Sequence, residues 1–181
     1  MHLPALELRP GVLIDYEGRR AFVIRWNILR NDRRQFVQMK IKDLETGRVT
    51  ELKENGDTRF EVLDKEEIDL THSYRDGPDE VFFTMEGEEV RCPVAAAEDA
   101  LVWPSDTYRG FYVSQQLVAV NPPRYAVVEV TETDPPMRGA GTGQKDAVLS
   151  NGIKVKVGLL TDIGDKVRVD TESLEVKERV S

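Results

Sequence analysis

The sequence has little of what several large classes of protein require. It contains one cysteine, Cys92, so an internal disulfide is excluded and a reducing compartment such as the cytoplasm is expected. Its two histidines, His2 and His72, do not combine with Cys92 at the spacing of a metal site, and no Cys-x-x-Cys pair occurs. We therefore expect neither a metal nor a cofactor.

Long apolar runs are also missing. No stretch approaches the roughly 20 apolar residues that a membrane helix needs. The first six residues lack a basic segment followed by an apolar core, so no secretory signal is expected. With 40% hydrophobic and 32% charged residues, the composition is typical of a soluble globular protein without a membrane partner.

Motifs for catalysis are weak. The run from Gly139 to Lys145 resembles a phosphate-binding loop, but it lacks the Gly-Lys-Ser/Thr order and precedes a predicted strand rather than a helix. It is better interpreted as a connection between two strands. Carboxylates are scattered over predicted solvated faces, so no pair indicates acid–base chemistry. The sequence predicts a protein that is not an enzyme.

The net charge of −8 is unevenly distributed along the chain. Residues 1–63 contain 12 Lys+Arg against 10 Asp+Glu, which is +2. Residues 64–125 contain 5 against 13, which is −8, and residues 126–181 contain 8 against 10, which is −2. This asymmetry favours an N-terminal part that approaches a polyanion and a middle part that avoids one.

Short strands separated by turns predict an all-β protein. Residues 1–63 show five alternating segments, with turns at Arg9-Pro10-Gly11, Glu17-Gly18, Leu44–Gly47 and Asn55-Gly56. Asn55-Gly56 predicts a two-residue hairpin to the strand that follows it. This pattern is typical of a small SH3-like (KOW-like) barrel.

Two further units follow, each with about five predicted strands, which favours OB barrels. The predicted domains are 1–63, 64–125 and 126–181, with a boundary at Asn121-Pro122-Pro123. Pro93 to Val102 is the one predicted helix. The chain has two tryptophans, Trp26 and Trp103. Each can either stack on a nucleic-acid base or, the simpler interpretation, pack inside a barrel.

The residues from Arg25 to Lys42 form the most informative stretch. Val37, Met39 and Ile41 alternate with polar residues and, with Phe22 and Ile24, are expected to anchor a hairpin. Between the strands lies a polar crest, residues 30–34, with arginines at 30, 33 and 34. Guanidinium groups suit phosphate, so the crest is either an RNA-contacting tip or a solvated loop.

Several motifs, in order along almost the whole chain, resemble bacterial elongation factor P. They are Arg9-Pro10-Gly11, Leu44–Gly47, Tyr74–Gly77, Asn121–Pro123, Val128–Pro135, Lys145–Val157 and Ile163–Thr171. The resemblance implies an SH3-like domain and two OB folds in an elongated L that mimics tRNA. It also implies a cytoplasmic factor, expected to be a monomer, that binds the ribosome beside peptidyl-tRNA and promotes peptide bonds at proline-rich stalls.

The resemblance also indicates which residues contact RNA, and where the chain departs from the family. The family hairpin usually carries Pro-Gly-Lys-Gly or an arginine counterpart, but the crest here has neither glycine nor lysine. The elongation factor P-like (YeiP-type) branch shows an arginine at this tip, which the arginines of the crest resemble. The family's Gly-Asp-Thr loop is replaced by Gly139-Ala140-Gly141, which weakens the case for mRNA contact there. The candidate contacts are Arg30, Asn31, Arg33 and Arg34 at the tip, Arg25 and Lys40 as flanking phosphate contacts, and Arg138, Gly139 and Lys145 in the third domain.

Two alternatives stay open at this point. The chain can be a general RNA-binding β-barrel regulator of translation, or an adaptor whose acidic middle domain binds a basic protein.

Overall fold

The computed structural model describes residues 1–31, 33–139 and 141–180. Its strands are β1 (His2–Pro4), β2 (Leu13–Tyr16), β3 (Arg19–Asn31), β4 (Arg34–Asp43), β5 (Val49–Asn55), β6 (Arg59–Val62), β7 (Glu66–Asp76), β8 (Asp79–Thr84), β9 (Glu89–Pro93), β10 (Tyr108–Val113), β11 (Gln116–Asn121), β12 (Tyr125–Thr133), β13 (Gln144–Leu149), β14 (Lys154–Gly158), β15 (Lys166–Asp170) and β16 (Val176–Val180). A 3-10 turn covers Ala5–Glu7, and helix α1 covers Val94–Leu101. Three sheets confirm the predicted all-β class.

The chain forms two compact units. Unit 1 comprises Met1–Glu98 and Arg109–Asn121, and unit 2 comprises Asp99–Tyr108 and Pro122–Ser181. The domain limits predicted from the sequence stay a prediction. Helix α1 has eight residues, within the predicted Pro93–Val102 segment. Over the described residues, no helix combines the length and apolar character needed to cross a membrane.

The first sheet of unit 1 has the order β1-β6-β2-β3-β4-β5. Strand β6 pairs with β1 and β2, at the other end of this order from β5. The predicted hairpin at Asn55-Gly56 is therefore wrong. A two-residue type I′ turn needs positive φ at both central residues, and neither Asn55 nor Gly56 has one.

The backbone after β5 is instead held against the N-terminal 3-10 turn. The Leu6 N–H donates to the Gly56 carbonyl at 3.0 Å, and the Ala5 N–H donates to the Thr58 carbonyl at 2.8 Å. The Gly56 N–H donates to the Gln35 carbonyl of β4 at 2.9 Å. These bonds satisfy the backbone polar groups of the connection between β5 and β6. They position β6 beside β2, with which it pairs.

Alternating residues of this sheet build its core. Val37, Met39 and Ile41 are buried, as the period of two predicted. Ile24 was expected with them but is 37% exposed, whereas Val23 is fully buried. The register of β3 against β4 shifts between Val23 and Arg25, so a bulge at Ile24 reverses which side chains face inward.

The second sheet of unit 1 has the order β11-β10-β7-β8-β9. Helix α1, which follows β9, contacts the first sheet: the buried Lys42 ammonium of β4 lies 2.6 Å from Glu98 Oε1 of the helix. The rings of Phe22 and Phe111 meet edge to face at 6.0 Å, and the Lys65 ammonium lies 3.9 Å from the Phe111 ring centre. The first sheet therefore contacts the second sheet through an aromatic pair and helix α1 through an ion pair.

Unit 2 contains the third sheet, of order β14-β13-β12-β15-β16. Its core consists of the inward residues Ala126, Val128, Val130, Ala147, Leu149, Val155, Val157, Val167 and Val169. Trp103, from the segment Asp99–Tyr108, completes this core and is 3% exposed. Its carbonyl accepts a hydrogen bond of 2.7 Å from the Tyr108 hydroxyl. Of the two sequence interpretations, packing is the one that applies to Trp103.

Candidate nucleic-acid interface

The hairpin of β3 and β4 extends further than the sequence indicated. Pairing continues to Asn31 opposite Arg34, so Arg30, Asn31 and Arg34 belong to strands rather than to a loop. Arg33 lies in the turn, and Asp32 of the predicted crest is outside the described residues. Since strands alternate strictly, the hairpin fixes which side chains share a face.

The hairpin has two chemically different faces. The outer face consists of four cross-strand pairs: Arg25–Lys40, Asn27–Gln38, Leu29–Phe36 and Asn31–Arg34. The inner face consists of Trp26–Met39, Ile28–Val37 and Arg30–Gln35. The inner face is apolar at its root, where Met39 and Val37 are buried. The outer face is cationic and amidic with one apolar pair, so the polar contacts predicted for the tip and flanks lie mostly on one side.

Arg25 and Lys40 are brought directly opposite each other by the register. Like charges placed opposite one another in a sheet are destabilising. Strand β5 extends the same face, because Lys53 pairs with Gln38 and Glu51 pairs with Lys40. Glu51 accepts a 2.8 Å hydrogen bond from the Gln38 amide. The face therefore keeps an excess of positive charge.

Among the residues that the structure describes, the hairpin arginines have no carboxylate partner. In residues 1–31, 33–139 and 141–180, no ion pair involves an arginine of the hairpin at position 25, 30, 33 or 34, whereas seven other arginines are paired. Those seven are Arg19, Arg75, Arg91, Arg109, Arg124, Arg168 and Arg179. The hairpin thus presents guanidinium groups whose charge is not neutralised by any side chain among the described residues.

Two surface pockets flank the tip. One, of about 730 Å³, is lined by Leu6, Arg30, Arg33, Arg34, Gln35, Asn55, Gly56 and Asp57. The other, of about 720 Å³, is lined by Asn31, Arg33, Arg34 and Phe36. Arg33 and Arg34 line both pockets, so the two guanidinium groups can serve a ligand on either face. Phe36, Lys53 and Asn55 were not among the residues predicted for the site, although the exposed period of two in β5 was a usable signal.

Trp26 fixes the root of the hairpin. Its indole N–H donates to the Ala5 carbonyl at 2.9 Å, and the Arg9 guanidinium lies 4.1 Å from the ring centre. Arg9 also donates to the carbonyls of Leu6 and Leu8 at 2.9 and 2.6 Å. The indole N–H is therefore bonded within the fold and the ring packs against the core of the first sheet, which favours packing over base stacking for this residue.

The third-domain candidates lie in different environments. Arg138 and Gly139 are exposed in one turn, and Gly139 has φ of +76°, in the left-handed region that glycine tolerates. Ala140 is outside the described residues. Lys145 is buried, and its ammonium donates to the Asp134 carbonyl and, at 2.6 Å, to the Thr161 carbonyl. Lys145 therefore links the segment at Asp134 to the segment at Thr161 and does not present its charge at the surface.

The remaining polar clusters have structural partners. His72 Nε2 lies 2.8 Å from Glu80 Oε1, and the Arg75 guanidinium lies 3.0 Å from Glu80 Oε2, which is buried. Burial, with Glu80 and Asp79 nearby, raises the pKa of the Cys92 thiol to about 12, so the thiol is neutral at physiological pH. Over the described chain, no group of three or more His, Cys, Asp or Glu residues has the arrangement needed to hold a metal ion.

The fold and the hairpin first define a class: an all-β protein of three small antiparallel sheets, with one arginine-rich ribbon. The family description "Elongation factor P, C-terminal" matches residues 127–179. Elongation factor P of Thermodesulfovibrio yellowstonii is 31% identical over 180 residues, which cover 96% of each chain. The chain therefore belongs to the elongation factor P family, and it is a translation factor.

Two solved structures are more distant in sequence. Eukaryotic translation initiation factor 5A from Methanococcus jannaschii is 10% identical with a TM-score of 0.46, covering 66% of this chain and 93% of that one. A translation initiation factor eif-5a family protein from Naegleria fowleri is 11% identical with a TM-score of 0.38, covering 67% and 97%. A likeness at this level has no bearing on the site.

Proposed function

We propose that the protein binds the ribosome next to peptidyl-tRNA and promotes peptide bond formation at proline-rich stalls. The observation that supports this best is the set of hairpin cations that have no carboxylate partner in the described chain. A guanidinium offers a planar fork of N–H donors that matches phosphate oxygens. Because no carboxylate of the described chain pairs with these guanidinium groups, they are available to bind RNA phosphates.

The proposed mechanism is positional. A guanidinium is not deprotonated in proteins, so the tip arginines cannot act as a general base. They can hold the acceptor end of a tRNA through charge-assisted hydrogen bonds to phosphate. Holding two reactants in near-attack geometry can remove up to roughly 7–11 kcal/mol of a bimolecular barrier, and a poor donor such as prolyl-tRNA would gain a part of that.

The remaining surfaces receive supporting roles. Arg25 and Lys40 are proposed to contact phosphate below the tip, on the outer face. Arg138 and Gly139 are proposed to lie near RNA, and Lys145 to hold their loop in place through its two carbonyl contacts. The protein is proposed to act as a monomer in the cytoplasm, with rRNA and tRNA as partners, in the YeiP-type branch of the family.

Translation of a proline-run reporter on purified ribosomes tests this function. The parent is expected to relieve the stall, and a variant with alanine at Arg30, Arg33 and Arg34 is expected to lose most of that stimulation. Its melting temperature should stay nearly unchanged, because exposed side chains usually contribute within about 0.5 kcal/mol. Lysine at the three positions should restore ribosome binding better than stimulation, since a point charge lacks the planar fork. A parent that leaves the stall unchanged would refute the proposal.

The adaptor alternative gives a different result. Ribosome co-sedimentation that falls steeply with salt indicates phosphate contact. Binding that resists RNase and needs only residues 64–125 would favour an acidic surface that recruits a basic protein. Replacing Glu88 and Glu89 by glutamine separates the two, because loss of acidic charge weakens an adaptor but leaves RNA binding equal or slightly tighter.

A further inference from the structure

The outer face of the hairpin changes chemistry along its length. Nearest the root stands the cationic pair Arg25–Lys40, followed by the amide pair Asn27–Gln38. Leu29–Phe36 follows, and Asn31–Arg34 ends the ladder. An aromatic ring thus lies one step below the tip, between two polar pairs. Electrostatic attraction of phosphate does not require an aromatic ring on the outer face, so the presence of Phe36 there calls for a separate explanation.

Phe36 is half-buried and lines the pocket of about 720 Å³ together with Asn31, Arg33 and Arg34. The Lys53 ammonium lies 5.2 Å from the centre of the ring, within the range of a cation–π contact. Leu29 is paired directly opposite Phe36 on the same face and is 38% exposed. The pocket therefore combines a π surface, a side-chain amide and two guanidinium groups within four lining residues.

This combination matches one chemical class of ligand. A nucleotide has a flat base for the ring, polar base edges for an amide and a phosphate for guanidinium groups. An apolar peptide would leave both arginines without a partner, and a free phosphate would not use the ring. A duplex would not reach the ring either, because its bases are already stacked on each other.

We propose that this pocket binds a single unpaired nucleotide of RNA, with the base stacked on Phe36 and the phosphate on Arg33 and Arg34. Asn31 lines the same pocket, so its side-chain amide is the group proposed to bond an edge of the base. The inference rests on the proposed function in taking RNA as the ligand, and it deepens that function by assigning base stacking to the hairpin. Phe36 is a positioning residue in this proposal, since it holds the base of the RNA nucleotide and takes no part in peptide bond formation.

A single-stranded RNA hexamer containing one 2-aminopurine tests the stacking directly. Titrated with the full chain at low salt, the parent is expected to bind and to quench the 2-aminopurine fluorescence. Phe36→Leu keeps the apolar pair with Leu29 but removes the π surface, and should weaken binding by about 5- to 150-fold and abolish the quenching. Phe36→Trp should retain both, because an indole also stacks.

Matched controls separate stacking from damage to the fold. Tyr74→Leu removes another exposed aromatic ring, on β7, and should leave binding and quenching unchanged. A hexamer that is abasic at every position should bind the parent and Phe36→Leu equally, because only phosphate contacts remain. Thermal melting of each variant shows whether it is folded.

Three results would overturn the inference: no binding by the parent, equal quenching by Phe36→Leu and the parent, or equal affinity of the parent for the strand that is abasic at every position and for the strand with bases. The reporter separates this from the proposed function. If a folded Phe36→Leu quenches 2-aminopurine as the parent does and both relieve the stall, stacking is refuted and the function stands. If quenching depends on Phe36 but the parent never relieves the stall, the nucleotide site stands and the function is refuted.

Discussion

Gly56 is constrained by the close approach of neighbouring segments to its backbone. Gly56 has no positive φ, so backbone freedom does not explain it. A Cβ at this position would lie 2.7 Å from Leu6 Cγ and 3.2 Å from the Gln35 carbonyl. The two neighbours belong to the N-terminal 3-10 turn and to β4, and both are hydrogen-bonded to the backbone of Gly56. Glycine is needed here because three backbone segments meet.

Gly56→Ala is therefore expected to lower the free energy of unfolding by about 1–3 kcal/mol, the usual cost of overpacking. Urea denaturation followed by circular dichroism measures it. Gly158→Ala is the control, because the nearest atom to its Cβ is Thr161 Oγ1 at an ordinary 3.9 Å and its φ is not in the left-handed region. That variant should be neutral or slightly more stable. Equal losses in both variants would contradict the close-approach explanation.

The hairpin shows how one element separates stability from function. Its inner face is packed at the root through Val37 and Met39, whereas its outer face aligns Arg25 with Lys40. Such a pair opposes folding slightly. Two arginines of the same strand make this testable: Arg25 has no ion pair in the described chain, but Arg19 lies 2.5 Å from Asp43 and 3.5 Å from Glu45.

Arg25→Gln should leave the protein equally stable or up to about 1 kcal/mol more stable, since it removes a cross-strand repulsion. Its binding to ribosomes should weaken and become less dependent on salt, because one phosphate contact is lost. Arg19→Gln should behave in the opposite way, with stability lowered by up to about 1 kcal/mol and ribosome binding nearly unchanged. Denaturation and co-sedimentation at several salt concentrations measure the two effects. A loss of stability in Arg25→Gln would show that the pair is not repulsive.

At the scale of the whole molecule, the division into two units gives each unit one tryptophan. Trp26 belongs to unit 1 and Trp103 to the core of unit 2. Compact units with separate cores can unfold in separate steps, so that one free energy of unfolding does not describe the chain. The two indoles make each step visible by fluorescence.

Trp103→Ala is expected to destabilise unit 2 by about 3–5 kcal/mol, as for other large-to-small changes in a core. The fluorescence of Trp26 should still report unfolding of unit 1 at the denaturant concentration measured for the parent. Trp103→Phe serves as the milder control, because it keeps an aromatic ring among the core valines. A matching shift of the Trp26 transition in Trp103→Ala would mean that the two units unfold together.

Much of this architecture was determined by local sequence. Alternating apolar residues and turn residues predicted most strands of the three sheets, the short helix and the buried row Val37, Met39 and Ile41. These features depend on neighbours a few positions apart, where the period of two and the preferences of turns act directly. The cations of the tip were also visible, because charge is a property of the residue itself.

Tertiary structure decided what depends on distant partners. It paired β6 with β1 and β2 instead of β5, placed a bulge at Ile24, and buried the ammonium of Lys145 between two carbonyls. It also placed Phe36 in one pocket with Asn31, Arg33 and Arg34. No local pattern encodes these outcomes, since each depends on contacts that form only when separate strands adopt a common register and separate segments satisfy each other's backbone groups.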